Sequence, residues 1–291
     1  MGAAKWADAL VQKSNLEKTL SHPQWDNIRH GILLLENCLD FLPCIPDNAI
    51  PMVLTSPPYD KLRDYEDAPP WNFDIFQQVA RELYRVLTPG GVIVWIVGDS
   101  TVNGGRTLTS FRQALYFQEL GLRMYDCMIY QKTGSGPPHP NRYFNSYEYM
   151  FVLSKGKPQT VNLLADKPNK WAGSSTWGEV SRREKDGSLT PKGAKIIAET
   201  GIRTNIWTYK NGYGQGTKAK IAYRHPAIFP EQLAADHIRS WSNPGDIVLD
   251  PFAGSGTTGI VAEQLQRYWI MIEAVPKYCD IILDRLSDTQ A

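Results

Sequence analysis

Two short polar segments, far apart along the chain, carry residue types that could do chemistry. Residues 56–59 read SPPY after the apolar run 52–54, and residues 250–259 read DPFAGSGTTG after the apolar run 247–249. An apolar run that ends abruptly in small and turn-forming residues is typical of a buried parallel strand leading into a loop. Because ligands of open α/β sheets bind at the carboxyl ends of the strands, both loops are predicted to line one crevice.

The SPPY loop is predicted to be catalytic. Its two prolines fix φ and restrict the residue before each of them, so a stiff backbone can hold carbonyl oxygens and a hydroxyl at one point. Tyr59 adds a flat face on which a base could stack. As a bare tetrapeptide, SPPY is more often a proline turn or a polyproline ligand. Its position after a predicted strand is what favours the catalytic interpretation.

The glycine-rich loop is predicted to hold a nucleoside. Gly254, Ser255 and Gly256 let the backbone turn tightly and approach a ligand closely, and the two threonines that follow are predicted to cap a helix over residues 259–266. GxGxxG is not met in its usual form, and the absence of GK[ST] excludes a phosphate-binding P-loop.

A second predicted strand, residues 268–272, ends in Glu273, which lies 19 residues after Gly254. An acid about 20 residues after the glycine loop binds ribose hydroxyls in dinucleotide folds. The ligand is therefore predicted to contain a nucleoside and need not carry phosphate. The alternative is a glycine turn with a solvated glutamate.

The order of TSPPY followed much later by DPFAGSGTTG resembles the beta class of DNA amino-methyltransferases, which are S-adenosylmethionine enzymes that modify exocyclic amines. Residues 83–91, 94–100, 225–232 and 268–278 are similar to further segments of that family, and the resemblance covers roughly residues 30–155 and 222–286. It implies an α/β fold with a Rossmann-like, mostly parallel sheet and an antiparallel edge strand. It also implies S-adenosyl-L-methionine as the cofactor, with no metal.

The resemblance assigns roles to individual residues. The catalytic residues it implies are Ser56, Pro57, Pro58, Tyr59 and Asp99. The cofactor-binding residues it implies are Asn37, His225, Pro226, Asp250, Pro251, Phe252, Ala253, Gly254, Ser255, Gly256, Thr257, Thr258 and Glu273. One departure is Glu36-Asn37-Cys38, where the family often has Gly-Asp-Cys; Asn37 could still accept a hydrogen bond, but without charge.

The chemistry explains these residue types. An exocyclic amine is a poor nucleophile, and acceptors beside its hydrogens, the Ser56 hydroxyl and the Pro57 carbonyl, could draw the nitrogen toward tetrahedral geometry. Tyr59 would stack on a base flipped out of the duplex, and most of the catalysis should come from positioning. Asp99 is a candidate for orienting the amine or taking its proton, the alternative being a helix or turn cap. The serine form of the motif favours N4 of cytosine, with N6 of adenine as the alternative.

The elements needed to position these loops can be read from the apolar pattern. Helices are predicted over residues 5–20, 73–87, 108–120, 229–240 and 259–266. Strands are predicted near residue 52 and over residues 92–97, 125–131, 147–153, 247–249 and 268–272, of which 147–153 is expected to be antiparallel at the sheet edge. Residues 133–142 form a Gly/Pro-rich loop that could touch substrate.

Composition is that of an ordinary globular enzyme. The chain has 291 residues, of which 42% are hydrophobic and 21% charged, enough for one large domain with an insertion. The four cysteines are scattered, so neither a disulfide framework nor a zinc site is expected, and a reducing cytoplasm fits. No apolar run approaches 18 residues and the first 20 lack a signal-like core, so neither a membrane span nor export is expected.

Charge is distributed unevenly along the chain. Residues 155–224 contain 14 Lys and Arg against five Asp and Glu, a net +9, whereas the rest carries −8. We expect domains at 1–155 (catalytic half), 156–222 (basic target-recognition insertion) and 223–291 (cofactor half). The insertion's aromatic residues could stack or wedge against DNA; they are Trp171, Trp177, Trp207, Tyr209 and Tyr213. The alternative is a solvated basic surface around a small aromatic core.

The expected partner is double-stranded DNA with a specific recognition sequence, bound by a monomer or homodimer. A cognate restriction endonuclease as a genetic partner is compatible with the resemblance. Two other classes stay open: a methyltransferase acting on RNA or on protein glutamine, which can use a similar proline loop, and a non-catalytic DNA-binding relative.

Overall fold

The fold comprises two compact units. The computed structural model describes residues 31–59, 68–134, 140–175, 180–192 and 195–288. Leu163–Thr204 forms the smaller unit, and the described residues on either side of it form the larger one. The helix predicted over residues 5–20 lies outside the described residues.

The larger unit is built on an eight-stranded sheet. In chain order its strands are β1 (Gly31–Leu35), β2 (Ile50–Thr55), β3 (Leu87–Val97), β4 (Arg123–Lys132), β5 (Tyr147–Ser154), β6 (Ile206–Tyr209), β7 (Ile247–Asp250) and β8 (Tyr268–Glu273). Their order across the sheet is β1-β8-β7-β2-β3-β5-β4-β6. All neighbours are parallel except that β5 is antiparallel to both β3 and β4. The predicted α/β class with a mostly parallel sheet is confirmed.

The antiparallel strand was expected at the sheet edge, and its position differs. β4 and β6 continue the sheet beyond it, so β5 is an interior strand with a partner on each side. Its residues Met150, Phe151, Val152 and Leu153 are buried accordingly. An uninterrupted apolar run fits an interior strand better than an edge strand, which exposes a row of backbone groups.

Six α-helices accompany the sheet in the described ranges. They are α1 (Cys38–Phe41), α2 (Phe73–Val86), α3 (Thr109–Glu119), α4 (Glu231–Trp241), α5 (Thr257–Gln264) and α6 (Pro276–Asp288). Short 3₁₀ turns cover Leu42–Cys44 and Lys220–Arg224, and a small hairpin joins Thr101–Val102 to Gly105–Arg106.

Helix α2 illustrates how the sequence builds these layers. Its apolar residues recur at helical spacing, and Phe76, Val79 and Leu83 are fully buried. The Asn72 side chain caps its start by accepting from the backbone N–H of Ile75 at 3.0 Å. These buried residues share one core cluster with inward-facing residues of β2, β3 and α3.

The opposite face of the sheet carries α4 and α5. Successive side chains of a strand point to opposite faces. Val53 therefore joins the core under α2, whereas Met52 and Leu54 face the other way. Helix α4 lies against β2 there, and α5 contacts β7, β8 and α4. Both loops of interest thus leave a sheet that is covered on both sides.

The smaller unit consists of short antiparallel pairs. Val180–Arg183 pairs with Leu189–Lys192, and Lys167–Pro168 pairs with Thr200–Gly201. The Arg203 side chain donates to Asp166 within this unit. Trp171 is 65% exposed, so its ring is open to solvent.

Three aromatic residues of the expected DNA-stacking set, Trp207, Tyr209 and Tyr213, belong to the larger unit instead. Trp207 and Tyr209 lie on β6 and are each only 8% exposed, and the Tyr209 hydroxyl donates to Asp236 at 2.8 Å. Burial excludes these two rings as platforms for DNA bases. Tyr213 is 71% exposed, and Trp177 lies outside the described residues.

Candidate active site

The two loops meet at one edge of the sheet. β2 and β7 are adjacent and parallel, with Met52 opposite Val248, so both strands deliver their loops to the same side. The Thr55 hydroxyl at the end of β2 donates to the Asp250 carboxylate at 2.6 Å. The Thr258 hydroxyl donates to the backbone carbonyl of Leu54 at 3.2 Å. The predicted meeting of the two segments is confirmed.

The glycine loop depends on backbone conformations that suit glycine. Gly254 and Gly256 have φ of 54° and 79°, in the left-handed region. A Cβ added at Gly256 would lie 2.9 Å from Ile282 on α6, so the position also lacks room for a side chain.

The start of α5 differs from the prediction that Thr257 and Thr258 cap it. The helix begins at Thr257 with Gly256 at its N-cap, and no side chain forms a capping hydrogen bond. The two threonines lie in the first turn instead. The Thr258 hydroxyl is used to tie the helix to β2.

Glu273 ends β8 beside the glycine loop. Its carboxylate accepts from the backbone N–H of Gly254 at 2.8 Å and from that of Val275 at 2.9 Å. The side chain is nearly buried, and burial raises the pKa of Glu273 to about 7, against the lowering effect of these two hydrogen bonds. An acidic acceptor is therefore held rigidly at the pocket wall.

Asp250, predicted to bind the cofactor, accepts hydrogen bonds from protein groups. Its carboxylate accepts from Thr55 and from the backbone N–H of Phe252 at 3.1 Å, and only 1% of the residue is exposed. Burial raises the pKa of Asp250 to about 6. The residue organises the turn from behind and does not line the pocket.

A pocket lies between the two loops, and most of the predicted cofactor-binding residues line it. Those lining it are Asn37, His225, Pro251, Phe252, Ala253, Gly254, Ser255, Thr257 and Glu273. Those that do not line it are Asp250, Pro226, Gly256 and Thr258. From the catalytic loop, Ser56 and Pro58 line the same pocket.

Sequence reasoning missed one wall of this pocket. Residues added by the structure include Pro69, Pro70, Trp71, Ile75 and Tyr278. The Trp71 ring packs edge-to-face on Phe252, with centroids 5.1 Å apart. The signal was the dense apolar and aromatic composition of residues 68–76, shortly after the catalytic loop.

His225 closes the pocket over the glycine loop. A Cβ at Gly254 would lie 3.0 Å from the His225 ring, and that ring packs against Tyr278 with centroids 4.3 Å apart. Its Nδ1 lies 2.6 Å from the backbone carbonyl oxygen of Ala227. The ring is thereby held against the loop that a ligand must approach.

Asn37 also lines the pocket, at the position where the sequence departs from the family pattern. It is the N-cap residue of α1, and its side-chain oxygen accepts from the backbone N–H of Leu39 at 3.0 Å. That oxygen is therefore already used by the helix.

The catalytic loop is tied to the sheet through Tyr59. The Ser56 hydroxyl donates to the Tyr59 hydroxyl at 3.0 Å, which in turn donates to the Glu148 carboxylate at 3.0 Å. Tyr59 is 7% exposed, and its hydroxyl also lies 3.4 Å from the Ile96 carbonyl. Much of the ring is therefore packed, its polar end faces the protein, and Tyr59 does not line the pocket, which leaves little of its face for the predicted stacking on a base.

Asp99 follows β3, and its side chain contacts the first turn of α3. One carboxylate oxygen accepts from the Ser110 backbone N–H at 2.9 Å and the other from the Ser110 hydroxyl at 2.7 Å. Asp99 does not line the pocket. This geometry fits the alternative interpretation of Asp99 as a helix cap, because both of its oxygens accept hydrogen bonds from the first turn of α3.

The family follows from comparison with known proteins. A family model described as DNA methylase, covering N6 and N4 enzymes, matches residues 50–284. The chain belongs to the N6/N4 DNA methylase family. The orphan methyltransferase M.BamHII of Bacillus amyloliquefaciens is 50% identical to this methylase over 245 residues, which cover 84% of this chain and 91% of the relative.

Two solved structures resemble the methylase in fold. The PvuII DNA methyltransferase (cytosine-N4-specific) matches with a TM-score of 0.65 and 23% identity, covering 88% of this chain and 86% of that one. The complex of M1.HpyAVI with SAM matches with a TM-score of 0.57 and 21% identity, covering 88% of this chain and 98% of that one. The expected Rossmann-like fold is thereby confirmed.

Arg285 of the methylase is a further residue that the sequence did not single out. It is 1% exposed on α6, donates to the Ser255 backbone carbonyl at 2.5 Å, and pairs with Glu231 at 2.7 Å. A buried guanidinium thus stabilises the glycine loop through a hydrogen bond to its backbone.

Two negative findings apply to the described ranges only. There, no three His, Cys, Asp or Glu side chains cluster so as to hold a metal ion. Within the same ranges, no helix has the length and apolar character needed to cross a membrane.

Proposed function

We propose that this DNA methyltransferase transfers a methyl group from S-adenosylmethionine to the N4 amine of a cytosine flipped out of double-stranded DNA. One observation carries the proposal: Ser56 and Glu273 line a single pocket, together with the glycine loop. A hydroxyl acceptor for an amine and an acidic acceptor for ribose hydroxyls are thus within one cavity.

The cofactor assignment rests on the chemistry of the pocket wall. Glu273 presents a carboxylate next to a loop whose backbone N–H at Gly254 it already binds. Ribose hydroxyls are donors that such a carboxylate accepts. The apolar wall of Trp71 and Phe252 suits a flat purine ring. The M1.HpyAVI structure, which resembles this fold, contains SAM.

The reaction needs positioning more than a strong base. The Ser56 hydroxyl and the Pro57 carbonyl would accept from the amine hydrogens and direct the nitrogen lone pair toward the sulfonium methyl group. Methylation makes the amine acidic, so its proton leaves readily. In this scheme Asp99 stabilises the start of α3 and takes no proton, because both of its oxygens accept hydrogen bonds from Ser110.

Cytosine is preferred to adenine because Ser56 offers a neutral hydroxyl at this position. The PvuII enzyme, described as cytosine-N4-specific, is among the structures that share the fold. The family includes N6 and N4 enzymes, so N6 of adenine is the second candidate.

The smaller unit, residues 163–204, is proposed to recognise the DNA sequence. It contains eight Lys and Arg against five Asp and Glu, a net +3, and exposes the Trp171 ring. Positive charge supplies affinity for phosphates, and an exposed ring can stack on a base or wedge between base pairs.

Mass spectrometry of digested nucleosides tests the proposal. The protein would be incubated with S-adenosylmethionine and unmethylated mixed-sequence DNA, with Ser56→Ala as the matched control. N4-methylcytosine, reduced in the control, is the expected product. N6-methyladenine would overturn the base assignment, and no methylated base on DNA would favour an RNA, protein or non-catalytic function.

A further inference from the structure

A chain of hydrogen bonds leads from the catalytic loop into the sheet. Ser56 donates to Tyr59, Tyr59 donates to one oxygen of Glu148, and Lys132 pairs with the other oxygen at 2.5 Å. The Glu148 and Lys132 side chains are 13% and 20% exposed, so the pair is mostly shielded from water.

Glu148 and Lys132 determine which groups donate and which accept along this series of hydrogen bonds. A carboxylate only accepts hydrogen bonds and an ammonium group only donates them. Glu148, like the Ile96 carbonyl 3.4 Å from the same hydroxyl, can only accept, so the Tyr59 hydroxyl donates inward and its oxygen accepts the Ser56 proton at 3.0 Å. Each hydroxyl has a single proton to donate, so the direction of the Tyr59–Glu148 hydrogen bond also determines the direction of the Ser56–Tyr59 hydrogen bond.

The fold explains how a carboxylate reaches this place. The parallel strands deliver their carboxyl ends to the site, and β5 is antiparallel to them. The first residues of β5 therefore lie at the same edge, with Tyr149 opposite Val97 at the end of β3. Glu148 is opposite Tyr130 of β4, two residues before Lys132.

We propose that Glu148, held by Lys132, is a positioning residue that makes Ser56 an acceptor for the substrate amine. The inference rests on the proposed function, in which Ser56 accepts from the amine. With its proton directed to Tyr59, the Ser56 oxygen presents only lone pairs to the pocket. Without the hydrogen bond to Tyr59, the Ser56 hydroxyl can rotate and donate to the amine nitrogen. That hydrogen bond would occupy the nitrogen lone pair that must attack the methyl group.

Glu148→Gln tests this polarity. Because Lys132 can only donate, the new amide oxygen faces Lys132 and its NH₂ group faces Tyr59. Tyr59 then accepts from the amide, with only the longer 3.4 Å contact to the Ile96 carbonyl as acceptor for its own proton, so Ser56 loses its fixed acceptor and can donate into the pocket. We expect the single-turnover methylation rate to fall about 100-fold, the order found when one catalytic hydrogen bond is removed. Affinity for S-adenosylmethionine should stay within about threefold, because Glu148 does not line the pocket.

The double variant Lys132→Met/Glu148→Gln separates polarity from simple structural damage. Without the ammonium group the amide can turn its oxygen to Tyr59, so the rate should recover about tenfold relative to Glu148→Gln. A purely structural role predicts the opposite, since the double variant removes more native contacts. Glu119→Gln, an exposed position on α3, is the matched control for the same chemical change.

Two results would overturn the inference. One is a methylation rate for Glu148→Gln within about threefold of wild type; the other is a double variant no faster than Glu148→Gln. A wild-type protein that methylates no DNA would instead refute the proposed function, which the same assay reveals before any variant is compared.

Discussion

The affinity of the pocket for S-adenosylmethionine should rise about tenfold from pH 6 to pH 8, and Glu273→Gln should abolish this rise. Burial, opposed by two backbone hydrogen bonds and aided by the nearby Asp250, raises the pKa of Glu273 to about 7. Ribose hydroxyls donate hydrogen bonds, so they bind the ionised carboxylate better than the protonated acid.

The magnitude follows from the fraction of protein in the ionised form. With a pKa of about 7, roughly 9% of Glu273 is ionised at pH 6 and roughly 91% at pH 8. If only the ionised form binds well, the apparent affinity follows that fraction, and the ratio is about tenfold.

The same raised pKa has the opposite consequence for stability without cofactor. The folded protein holds the proton of Glu273 more tightly than the unfolded chain, whose carboxyl titrates near 4.5. The contribution is complete below that value and is lost as the pH rises through about 7. The melting temperature of the cofactor-free protein should therefore fall over this window more steeply in wild type than in Glu273→Gln.

Isothermal titration calorimetry with S-adenosylhomocysteine at pH 6, 7 and 8 would measure the effect. The ligand titrates equally in both experiments, so the difference between wild type and Glu273→Gln isolates the carboxylate. A flat wild-type affinity, or an equal slope in the variant, would refute the assignment of Glu273 to the ribose.

Three further substitutions probe the supports of the site. Gly256→Ala should destabilise by about 2 kcal/mol or more, seen as a lower urea midpoint, because φ is 79° and the new Cβ would meet Ile282 at 2.9 Å; an unchanged midpoint would contradict this. Arg285→Met should cost about 3 kcal/mol by leaving a carbonyl and a carboxylate without their buried partner, and a smaller loss than 1 kcal/mol would argue against the clamp. Asp99→Asn should keep methylation within about threefold while lowering stability by about 1 kcal/mol through its contact with Ser110; a rate loss of about 100-fold would restore it to the chemistry.

Local sequence patterns predict several of the strands, loops and helices that form the site. Apolar runs that stop at turn-forming residues located β2, β7 and β8, and their ends carry the SPPY loop, the glycine loop and Glu273. The period of α2 identified a helix that ends within one residue of its prediction. These features are readable because strand burial, glycine conformation and helical periodicity depend on neighbours in the chain.

Other outcomes depend on contacts between distant segments. Asp99 follows β3 and Asp250 ends β7, much as Glu273 ends β8, yet Asp99 accepts from Ser110 and Asp250 does not line the pocket. Glu148 is a single charged residue within the otherwise apolar and aromatic run 147–153, and no local pattern links it to Tyr59.

Sequence thus determined which segments form the strands, the turns and the two loops, because these follow from local burial and backbone preference. Only the tertiary structure decided that β5 enters the sheet interior in the reverse direction. That reversal brings Glu148 to Tyr59, 89 residues away in the chain. Hydrogen bonds across such separations are set by strand order and register, which no local pattern encodes.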